Sequence, residues 1–258
     1  MPEGDSILWA ATRIRPVLAG RVPDEITTPQ RRQAGDRWPS RLAGRSVLRV
    51  DTHGKNLFLV FDGGLVLHSH LRMSGAWDVR RAGGRWVRSP SRAWLVIRCG
   101  EHEVIQFDGP VLELLSAGRV RFDQVLAGLG PDALADVFDS GRFLARLRSD
   151  DGGRALGDAL LDQRNLAGIG NIWKAEGCWE AGLSPWRPLR DVSDEEALAF
   201  VAAVRPRMLR SGLEGPSTID ARVYGRRGRP CPRCGGAIAA RRQGDGNRMT
   251  YWCPGCQR

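Results

Sequence analysis

Lysine and long apolar runs are both scarce in this sequence. Of its 39 basic residues only Lys55 and Lys174 are lysines, and the others are arginines. No uninterrupted apolar stretch comes near the roughly 20 residues of a transmembrane helix. The first residues, which include Glu3 and Asp5, form no apolar signal core. We therefore expect neither a membrane protein nor an exported one, and we predict a cytoplasmic location.

The charge balance points to a polyanionic partner. The 258 residues carry 39 basic and 29 acidic side chains, a formal net charge of +10, and the sequence pI is near 10.3. With 42% hydrophobic and 26% charged residues, the chain has the composition of a folded protein with one large domain or two small ones. This positive excess favours nucleic acid as the partner, although a merely basic soluble protein would have the same composition.

The two lysines stand out against the arginines. A coding bias explains the arginines, but an amine is a compact donor that can lose its proton, whereas a guanidinium cannot. Lys55 lies between His53 and Asn56 in a predicted sharp turn, and we interpret it as a functional residue. Lys174 lies in a predicted helix, where we expect a solvated or phosphate-facing side chain.

Four of the six cysteines form two close pairs. Two residues separate Cys231 from Cys234 and Cys253 from Cys256, and 18 residues separate the pairs. Pairs with this spacing direct four thiolates at one tetrahedral ion, and the predicted location disfavours disulfides. We predict one structural zinc ion, because four thiolates close the coordination shell. The two remaining cysteines are interpreted as small buried residues: Cys99 and Cys178.

The first half of the chain changes from a helical pattern to short alternating strands. Apolar residues between 3 and 18 recur at helical spacing, which predicts a helix near the start. Two hairpins are predicted, one from 56–61 and 65–70 and the other from 94–99 and 104–107. Several such strands joined by glycine turns indicate a β-sandwich or barrel.

Helical spacing dominates after Pro131. This proline suits the start of a helix whose apolar face carries Leu134 and Val137. Further along, Ser193 and Glu196 have the spacing of a capping box, which predicts another helix start. The second half of the chain is therefore expected to be mainly helical.

A glycine turn joins two predicted helices near residue 170. Gly168 and Gly170 precede Asn171, and asparagine is a good N-cap residue. Glycines at this point leave backbone N–H groups open, and the helix dipole favours an anion there. We expect a DNA phosphate to bind at this turn, although a turn that only connects two packed helices would have a similar sequence.

Several short motifs, in the same order along the chain, resemble those of the formamidopyrimidine-DNA glycosylase / endonuclease VIII family. The similarity covers nearly the whole chain. It rests on residues 1–4 (MPEG), 54–55 (GK), 69–75 (SHLRMSG), 168–171 (GIGN), 223–226 (VYGR) and 248–257 (RMTYWCPGCQ).

The resemblance implies an α+β protein of two lobes with DNA in the cleft between them. Its parts would be an N-terminal helix with a catalytic β-sandwich (1–116), a helix–two-turn–helix domain (117–225) and a zinc-finger β-hairpin (226–258). The glycines between 116 and 130 fit the first boundary. The implied activity is excision of oxidised bases with cleavage of the abasic site, and the implied partner is damaged DNA, bound by a monomer in the nucleoid.

The resemblance also implies an amine nucleophile at Pro2. Removal of Met1 would expose a secondary amine that attacks sugar C1′, expels the base and forms an iminium ion. Glu3 is implied as the proton donor, although a carboxylate also suits a helix start by its charge. Lys55 is implied to contact the lesion phosphate and assist elimination, and Arg248 to act in the second, δ-elimination step. We interpret Arg248 chiefly as a phosphate clamp, since its own proton is hard to lose.

DNA contacts are implied for five further residues. Met73 is the candidate wedge that fills the gap left by the extruded nucleotide, with a core position as the alternative. Arg72 flanks it on the same strand-end loop. Asn171 and Tyr224 match phosphate contacts of the family, and we assign the same role to His70, although a histidine inside a strand is commonly structural.

The sequence departs from the family pattern at three places. Asp5 and Ser6 stand where the family usually has Pro-Glu, which alters the acid–base network. The loop 107–111 shows no pair of Arg and Phe like the one with which the formamidopyrimidine branch reads the opposite base, and 211–221 is too short for that branch's purine-capping loop. We therefore predict oxidised pyrimidines as substrates. The alternatives are a preference for 8-oxoguanine or formamidopyrimidines, which the Met73 loop resembles, and a non-catalytic zinc-containing protein that binds damaged DNA.

Overall fold

The computed structural model describes residues 2–30 and 37–258. Within these ranges the chain forms two compact units. The first comprises Pro2 and the described residues of 6–127, and the second comprises 3–5 and 128–258. The boundaries that we predicted for three domains, after residue 116 and after residue 225, stay predictions.

Two four-stranded antiparallel sheets make up most of the first unit. The strand bounds are β1 Glu25–Thr27, β2 Val47–His53, β3 Asn56–Phe61, β4 Leu65–His70, β5 Ala76–Arg81, β6 Ala93–Cys99, β7 His102–Phe107 and β8 Val111–Ser116. The strand orders are β1-β6-β7-β5 and β2-β3-β4-β8. Both predicted hairpins are confirmed, because β3 pairs with β4 and β6 pairs with β7 in antiparallel register.

One apolar core is shared by both sheets and the first helix. Helix α1 (Gly4–Leu18) buries Ile7 and Ile14, and the sheets contribute side chains such as Leu57 and Ile97. This arrangement confirms the predicted β-sandwich with an N-terminal helix. The described residues of this unit also form three short α-helices: α2 Trp38–Leu42, α3 Ala117–Phe122 and α4 Gln124–Ala127.

The second unit consists of helices and one hairpin. The bounds are α5 Ser140–Arg148, α6 Leu156–Leu161, α7 Asn171–Glu180, α8 Asp194–Glu214, β9 Ala239–Gln243 and β10 Arg248–Trp252. The predicted capping box is confirmed at the start of α8, where Ser193 and Glu196 satisfy each other's backbone N–H groups. Helix α7 and the hairpin region share an apolar cluster that includes Trp179 and Ile238. No helix in the described ranges has the length and hydrophobicity needed to span a membrane.

The helix predicted to start at Pro131 is wrong. The segment 131–139 is irregular, helix α5 begins only at Ser140, and Val137 is exposed. The cause is Asp132, whose carboxylate accepts a 2.9 Å hydrogen bond from the backbone N–H of Leu134. A short acidic side chain that binds the backbone two residues ahead stabilises a turn in place of a helix.

Candidate functional site

Lys55, His70 and Arg72 form a basic cluster at one end of the sheet that contains β2, β3 and β4. Lys55 follows Gly54 in the turn from β2 to β3, and Gly54 has a φ of 57°, which favours glycine. His70 ends β4 and lies opposite Asn56, the first residue of β3. The charges of Lys55 and Arg72 both act on His70. The fold thus brings three of the predicted site residues together.

His70 is held in its neutral form. Desolvation lowers the pKa of His70 to about 4, and the positive charges of Arg72 and Lys55 act in the same direction. Its Nδ1 atom accepts a 3.1 Å hydrogen bond from the backbone N–H of Arg72. A neutral imidazole that accepts at Nδ1 carries its proton on Nε2, so His70 has one N–H donor at neutral pH.

Met73 lies on the turn after β4 and is 71% exposed, so the alternative of a core position is wrong. The turn is tight, because the backbone N–H of Gly75 donates to the carbonyl of Leu71 over 2.8 Å. A Cβ atom at Gly75 would also lie 2.8 Å from that oxygen. Arg88, in the connection between β5 and β6, supports the turn by donating to the carbonyl of Ser74 over 2.6 Å.

Ion pairs hold the loop between β7 and β8. The carboxylate of Asp108 lies 2.6 Å from both the Arg88 and the Arg92 guanidinium groups. Burial opposes ionisation of Asp108, but the hydrogen bonds from both arginines outweigh burial and lower its pKa. Phe107 is fully buried in a small apolar cluster. Its ring therefore has no free face with which to stack on a base.

Glu3 is buried at the start of helix α7, in the second unit. Its carboxylate accepts hydrogen bonds from the backbone N–H groups of Ile172 (2.8 Å) and Trp173 (3.2 Å). These groups belong to the first helical turn, where the helix dipole also favours negative charge. Gly170 provides the space, because a Cβ atom there would lie 2.2 Å from the Glu3 carboxyl carbon. Pro2, the preceding residue, is half-buried.

This contact corrects two predictions for the glycine turn. Gly170 occupies the N-cap position, and Asn171 is the first helical residue. The N–H groups of Ile172 and Trp173, which we predicted to be open to a DNA phosphate, bind Glu3 instead. The cap comes from a distant part of the chain, so no local pattern indicates it.

Asn171 and Tyr224, both predicted to contact phosphates, are neighbours. The Asn171 Nδ2 atom donates to the carbonyl of Met249 over 2.8 Å. Burial raises the pKa of Tyr224, the charge of Glu3 adds to the rise, and a side-chain hydrogen bond with Asn171 opposes it. The Tyr224 ring packs edge-on against Tyr251, with 5.1 Å between the ring centroids.

Glu176 holds the segment that carries Tyr224, and the sequence analysis missed it. Its buried carboxylate accepts from the backbone N–H groups of Arg222 (2.8 Å), Val223 (3.0 Å) and Tyr224 (2.9 Å). The Arg207 guanidinium lies 3.2 Å away and balances the charge. The available signal was a carboxylate in the middle of helix α7, between the small residues Ala175 and Gly177.

Lys174 lies in the interior, so our prediction of a solvated or phosphate-facing side chain is wrong. Its Nζ atom donates to Thr250 Oγ1 over 2.6 Å and to Gln243 Oε1 over 3.4 Å. Desolvation lowers the pKa of Lys174 to about 8. A lysine in this arginine-rich chain does indicate a specific role here, but that role is a buried hydrogen-bonded contact.

Arg248 lies at the turn end of the β9–β10 hairpin. It is the first residue of β10, its side chain is exposed, and it lies opposite Gln243 in the strand register. The turn between the strands contains Gly244 and Asn247, with φ values of 63° and 47°. The side chain of Arg248 is therefore exposed to solvent next to a short turn.

The departure at residue 5 has a structural role. Asp5 is buried, and its carboxylate accepts a 2.6 Å hydrogen bond from the hydroxyl of Ser211 on helix α8. Next to it, the backbone N–H of Gly4 donates to the carbonyl of Gly168 over 2.9 Å. A Cβ atom on Gly4 would lie 2.9 Å from the Gly168 Cα atom. These contacts hold residues 4 and 5 within the second unit and explain why glycine occupies position 4.

The four paired cysteines converge. Their Sγ atoms all lie within 4.8 Å of one another, with 3.9 Å between Cys231 and Cys256 and 3.4 Å between Cys234 and Cys253. Four thiolates around a tetrahedral zinc ion are about 3.8 Å apart, so this group can hold a metal ion. The Nε1–H of Trp179 donates to Cys231 Sγ over 3.3 Å, which stabilises a thiolate. The other two cysteines are buried, as predicted: Cys99 and Cys178.

Comparison with known families agrees with this geometry. The family model of the formamidopyrimidine-DNA glycosylase N-terminal domain matches residues 1–123. The model of the formamidopyrimidine-DNA glycosylase H2TH domain matches residues 129–222. The two matches together cover most of the chain.

Individual relatives extend over the full length. The chain is 41% identical to a Streptomyces coelicolor protein named "Probable endonuclease 8 2", across 100% of this chain and 94% of that protein. It is 36% identical to a DNA-(apurinic or apyrimidinic site) lyase of Mycolicibacterium smegmatis, across 100% and 99%. The structure of Lactococcus lactis formamidopyrimidine-DNA glycosylase bound to abasic-site DNA has a TM-score of 0.84 and 22% identity, with full coverage of both chains. The chain therefore belongs to the formamidopyrimidine-DNA glycosylase / endonuclease 8 family of base-excision-repair glycosylases and abasic-site lyases.

Proposed function

We propose that this protein excises oxidised pyrimidines from DNA and then cleaves the abasic site. The observation that carries the proposal is the fixed position of Glu3, which is buried and hydrogen-bonded to helix α7 directly after Pro2. A candidate amine nucleophile and a candidate proton carrier are thus consecutive residues. The net charge of +10 suits a DNA substrate. We expect the protein to act as a monomer on nucleoid DNA in the cytoplasm.

The proposed nucleophile is the secondary amine of Pro2 after removal of Met1. An α-amino group titrates near about 7.7–8.0, so a useful neutral fraction exists at neutral pH. The nitrogen bonds to C1′ as the bond from C1′ to the base breaks, and opening of the ring at O4′ leaves an iminium ion. The iminium withdraws electrons from C2′, which loses a proton as the bond from C3′ to the 3′ phosphate oxygen breaks.

Glu3 is proposed to supply the proton that the departing base or O4′ requires. In the free protein, its carboxyl oxygens accept hydrogen bonds from two backbone N–H groups of helix α7. The adjacent Pro2 ammonium is a suitable proton source. Transfer of one proton from Pro2 to Glu3 produces the neutral nucleophile and the acid in a single step.

The basic side chains are proposed to bind the phosphates around the lesion. Lys55, His70 and Arg72 are close enough to influence one another's charge, and they offer three kinds of N–H donor. Arg248, on its hairpin, is proposed to bind the phosphate that leaves in the second elimination. Asn171 is proposed to add a further phosphate contact beside the hairpin.

The preference for pyrimidines is supported by two loops. Phe107 is buried and Asp108 is bound by two arginines, so the 107–111 loop offers no aromatic ring to the opposite base. Helix α8 continues to Glu214, and only a short 3₁₀ turn at Pro216–Thr218 separates it from the Tyr224 segment. Neither loop has the parts of a purine-reading site.

We propose that the four clustered cysteines hold zinc. Tetrahedral thiolate sites with this spacing between ligands are typical of zinc, and the closed shell leaves no position for substrate. The ion would connect the segment around Cys231 to the strand end at Cys253. Its contribution is to keep the hairpin that carries Arg248 rigid.

Borohydride trapping tests the proposed mechanism. The mature protein is incubated with a duplex containing thymine glycol and with a matched abasic duplex, and reduction should yield a covalent complex whose adduct maps to Pro2. An extra residue before Pro2 converts its nitrogen to an amide and should abolish trapping. Substitution of Pro2 by glycine is a weaker block, because glycine keeps a terminal amine. A blocked terminus with full strand cleavage would overturn the proposal.

A lesion panel tests the substrate class. Duplexes with thymine glycol, 5-hydroxyuracil and 8-oxoguanine are compared in single-turnover reactions, and the first two should react faster. A faster reaction with 8-oxoguanine would favour the purine-preferring alternative. Tight binding to all three without release of any base would identify a non-catalytic binder of damaged DNA.

A further inference from the structure

A buried lysine connects helix α7 to the hairpin that carries Arg248. Lys174 is 0% exposed, and its ammonium donates to Thr250 Oγ1 over 2.6 Å and to Gln243 Oε1 over 3.4 Å. Thr250 lies on β10 and Gln243 on β9. One cation therefore binds both strands of the hairpin.

These two contacts lie beside Arg248 itself. Arg248 and Thr250 are two residues apart on β10, so their side chains leave the same face of the hairpin. Gln243 is the residue opposite Arg248 across the strands, so it shares that face. The positive charges of Lys174 and Arg248 act on each other. The ammonium of Lys174 thus contacts the two residues that neighbour Arg248 on its face of the hairpin.

The partners of Lys174 are themselves firmly held. Thr250 Oγ1 donates to Gln243 Oε1 over 2.8 Å, and Gln243 Nε2 donates to the carbonyl of Pro185 over 2.7 Å. Helix α6 packs against the same amide, because a Cβ atom at Gly157 would lie 2.6 Å from Gln243 Oε1. Lys174 joins a hydrogen-bonded network that has little freedom to move.

Helix α7 makes a second contact with strand β10, at Met249, the residue between Arg248 and Thr250. Asn171 Nδ2 donates to the carbonyl of Met249 over 2.8 Å. Helix α7 therefore holds Met249 by its backbone and Thr250 by its side chain, directly after Arg248. We infer that Lys174 is a positioning residue for Arg248, which fixes the hairpin to helix α7 so that the guanidinium points outward to a DNA phosphate. The inference rests on the proposed phosphate contact of Arg248.

The chemistry of lysine suits this position. An ammonium is compact and has three donors, so it can reach two oxygens on different strands from one atom. Both hydrogen-bond acceptors are neutral, while the charges of Asp158 and Glu3 also act on the ammonium. The ammonium repels the Arg248 guanidinium, which favours a conformation of Arg248 that extends away from the hairpin face.

A double-mutant cycle tests the inference. Dissociation constants are measured for a duplex with a tetrahydrofuran abasic-site analogue, using wild type, Lys174→Met, Arg248→Gln and the double variant. Methionine keeps the length of the side chain and removes the donors and the charge. Lys174→Met should weaken binding about fivefold in the wild-type background and have little effect in the Arg248→Gln background, because two residues that act through one another do not have additive effects.

Thr250→Val provides a matched variant. It removes an acceptor of Lys174 and leaves the lysine in place, and it should also weaken binding only when Arg248 is present. Zinc content and the thermal unfolding midpoint are measured for every variant to confirm that the hairpin remains folded. A positioning role requires normal zinc content together with weaker binding.

The outcomes separate the inference from the proposed function. Wild-type binding by Lys174→Met, with weak binding by Arg248→Gln, would overturn the inference alone. An equal loss in both backgrounds would make Lys174 a structural residue and would also overturn it. Wild-type binding by Arg248→Gln would remove the proposed phosphate contact, and with it the inference. Failure of the wild-type protein to cleave an abasic duplex would overturn the proposed function.

Discussion

The carboxylate of Glu3 accepts a 2.8 Å hydrogen bond from the backbone N–H of Ile172. One acidic side chain therefore has two functions, because it caps helix α7 and is the proposed proton donor next to Pro2. The helix keeps the carboxylate in one position before DNA arrives. Preorganisation of this kind reduces the cost of reaching the reactive geometry.

Glu3→Gln should separate the two steps of the reaction. Glutamine keeps one acceptor oxygen, which can bind the Ile172 N–H group, but its amide nitrogen cannot accept from Trp173 and it has no acidic proton to transfer. We expect base excision to slow by about 10²–10⁴-fold, the usual contribution of a positioned acid. Cleavage of a preformed abasic site should fall less, since no base has to leave. Single-turnover rates on both duplexes measure the difference.

Glu180→Gln is the matched control for that experiment. Glu180 ends the same helix and is exposed, so its substitution should leave both rates unchanged. If Glu3→Gln retained the wild-type rate of base excision, the assignment of Glu3 as the proton donor would be wrong.

Met73→Ala should impair excision from duplex DNA only. The side chain is 71% exposed, so its removal should not change the free energy of unfolding. Opening a base step costs a few kcal/mol, which a wedge helps to offset, and we expect at least about a tenfold slower reaction. A single-stranded substrate has no stacked gap to fill and should react at the wild-type rate. Rates on the two substrates are compared under single turnover.

Val87→Ala is the control for loss of an exposed apolar side chain. Val87 lies in the connection that also carries Arg88 and is 64% exposed. It should have no effect on either substrate. Equal losses for Met73→Ala on single and double strands would contradict a wedge function.

Removal of zinc should make the β9–β10 hairpin flexible. We expect one zinc per chain in the purified protein by atomic emission, and loss of the ion in Cys253→Ser. Strand cleavage should fall with the metal, because structural zinc sites contribute directly to folding. Cys99→Ser replaces a buried cysteine of the first unit and should keep the ion. Full activity of a zinc-free protein would contradict this function of the metal.

Local patterns account for most of what the sequence could predict. The β3–β4 and β6–β7 hairpins follow from alternation and glycine turns, and the convergence of Cys231 with Cys253 follows from the spacing of the pairs. The family motifs also identified the fold. Each of these signals lies within a short window or in a repeated spacing, where periodicity and turn chemistry decide the structure.

The errors have a common physical origin, which is contact between distant residues. Asn171 has the properties of an N-cap, but Glu3 enters from far along the chain and takes the N–H groups. Lysine is usually a surface residue, but the hydroxyl of Thr250, on strand β10, gives Lys174 a buried hydrogen-bond acceptor. Asp132 is the exception, because its turn is local and competes with the helical pattern at Pro131.

The burial of Lys174 should produce a rise in stability at alkaline pH. The pKa of Lys174 is about 8 in the folded protein, against an ordinary value of 10.5 for an exposed lysine. Desolvation is the main cause, Arg248 lowers the pKa further, and Cys178, Asp158 and Glu3 oppose it. Between these two values the unfolded chain binds more protons than the folded protein, so the free energy of unfolding rises with pH.

Lys174→Met removes the titrating group, so comparison with the wild type gives the contribution of Lys174 to the pH dependence of the free energy of unfolding. At pH 7 both states of the wild type carry the charge, and the folded state bears the cost of burying it. As pH increases through 8 toward 10.5, the wild type should gain about 3 kcal/mol relative to Lys174→Met. Urea unfolding of both proteins across this range measures the change, and titration of other groups cancels in the difference. Parallel stability curves would contradict the burial of the Lys174 ammonium, because they would show that folding does not lower its pKa.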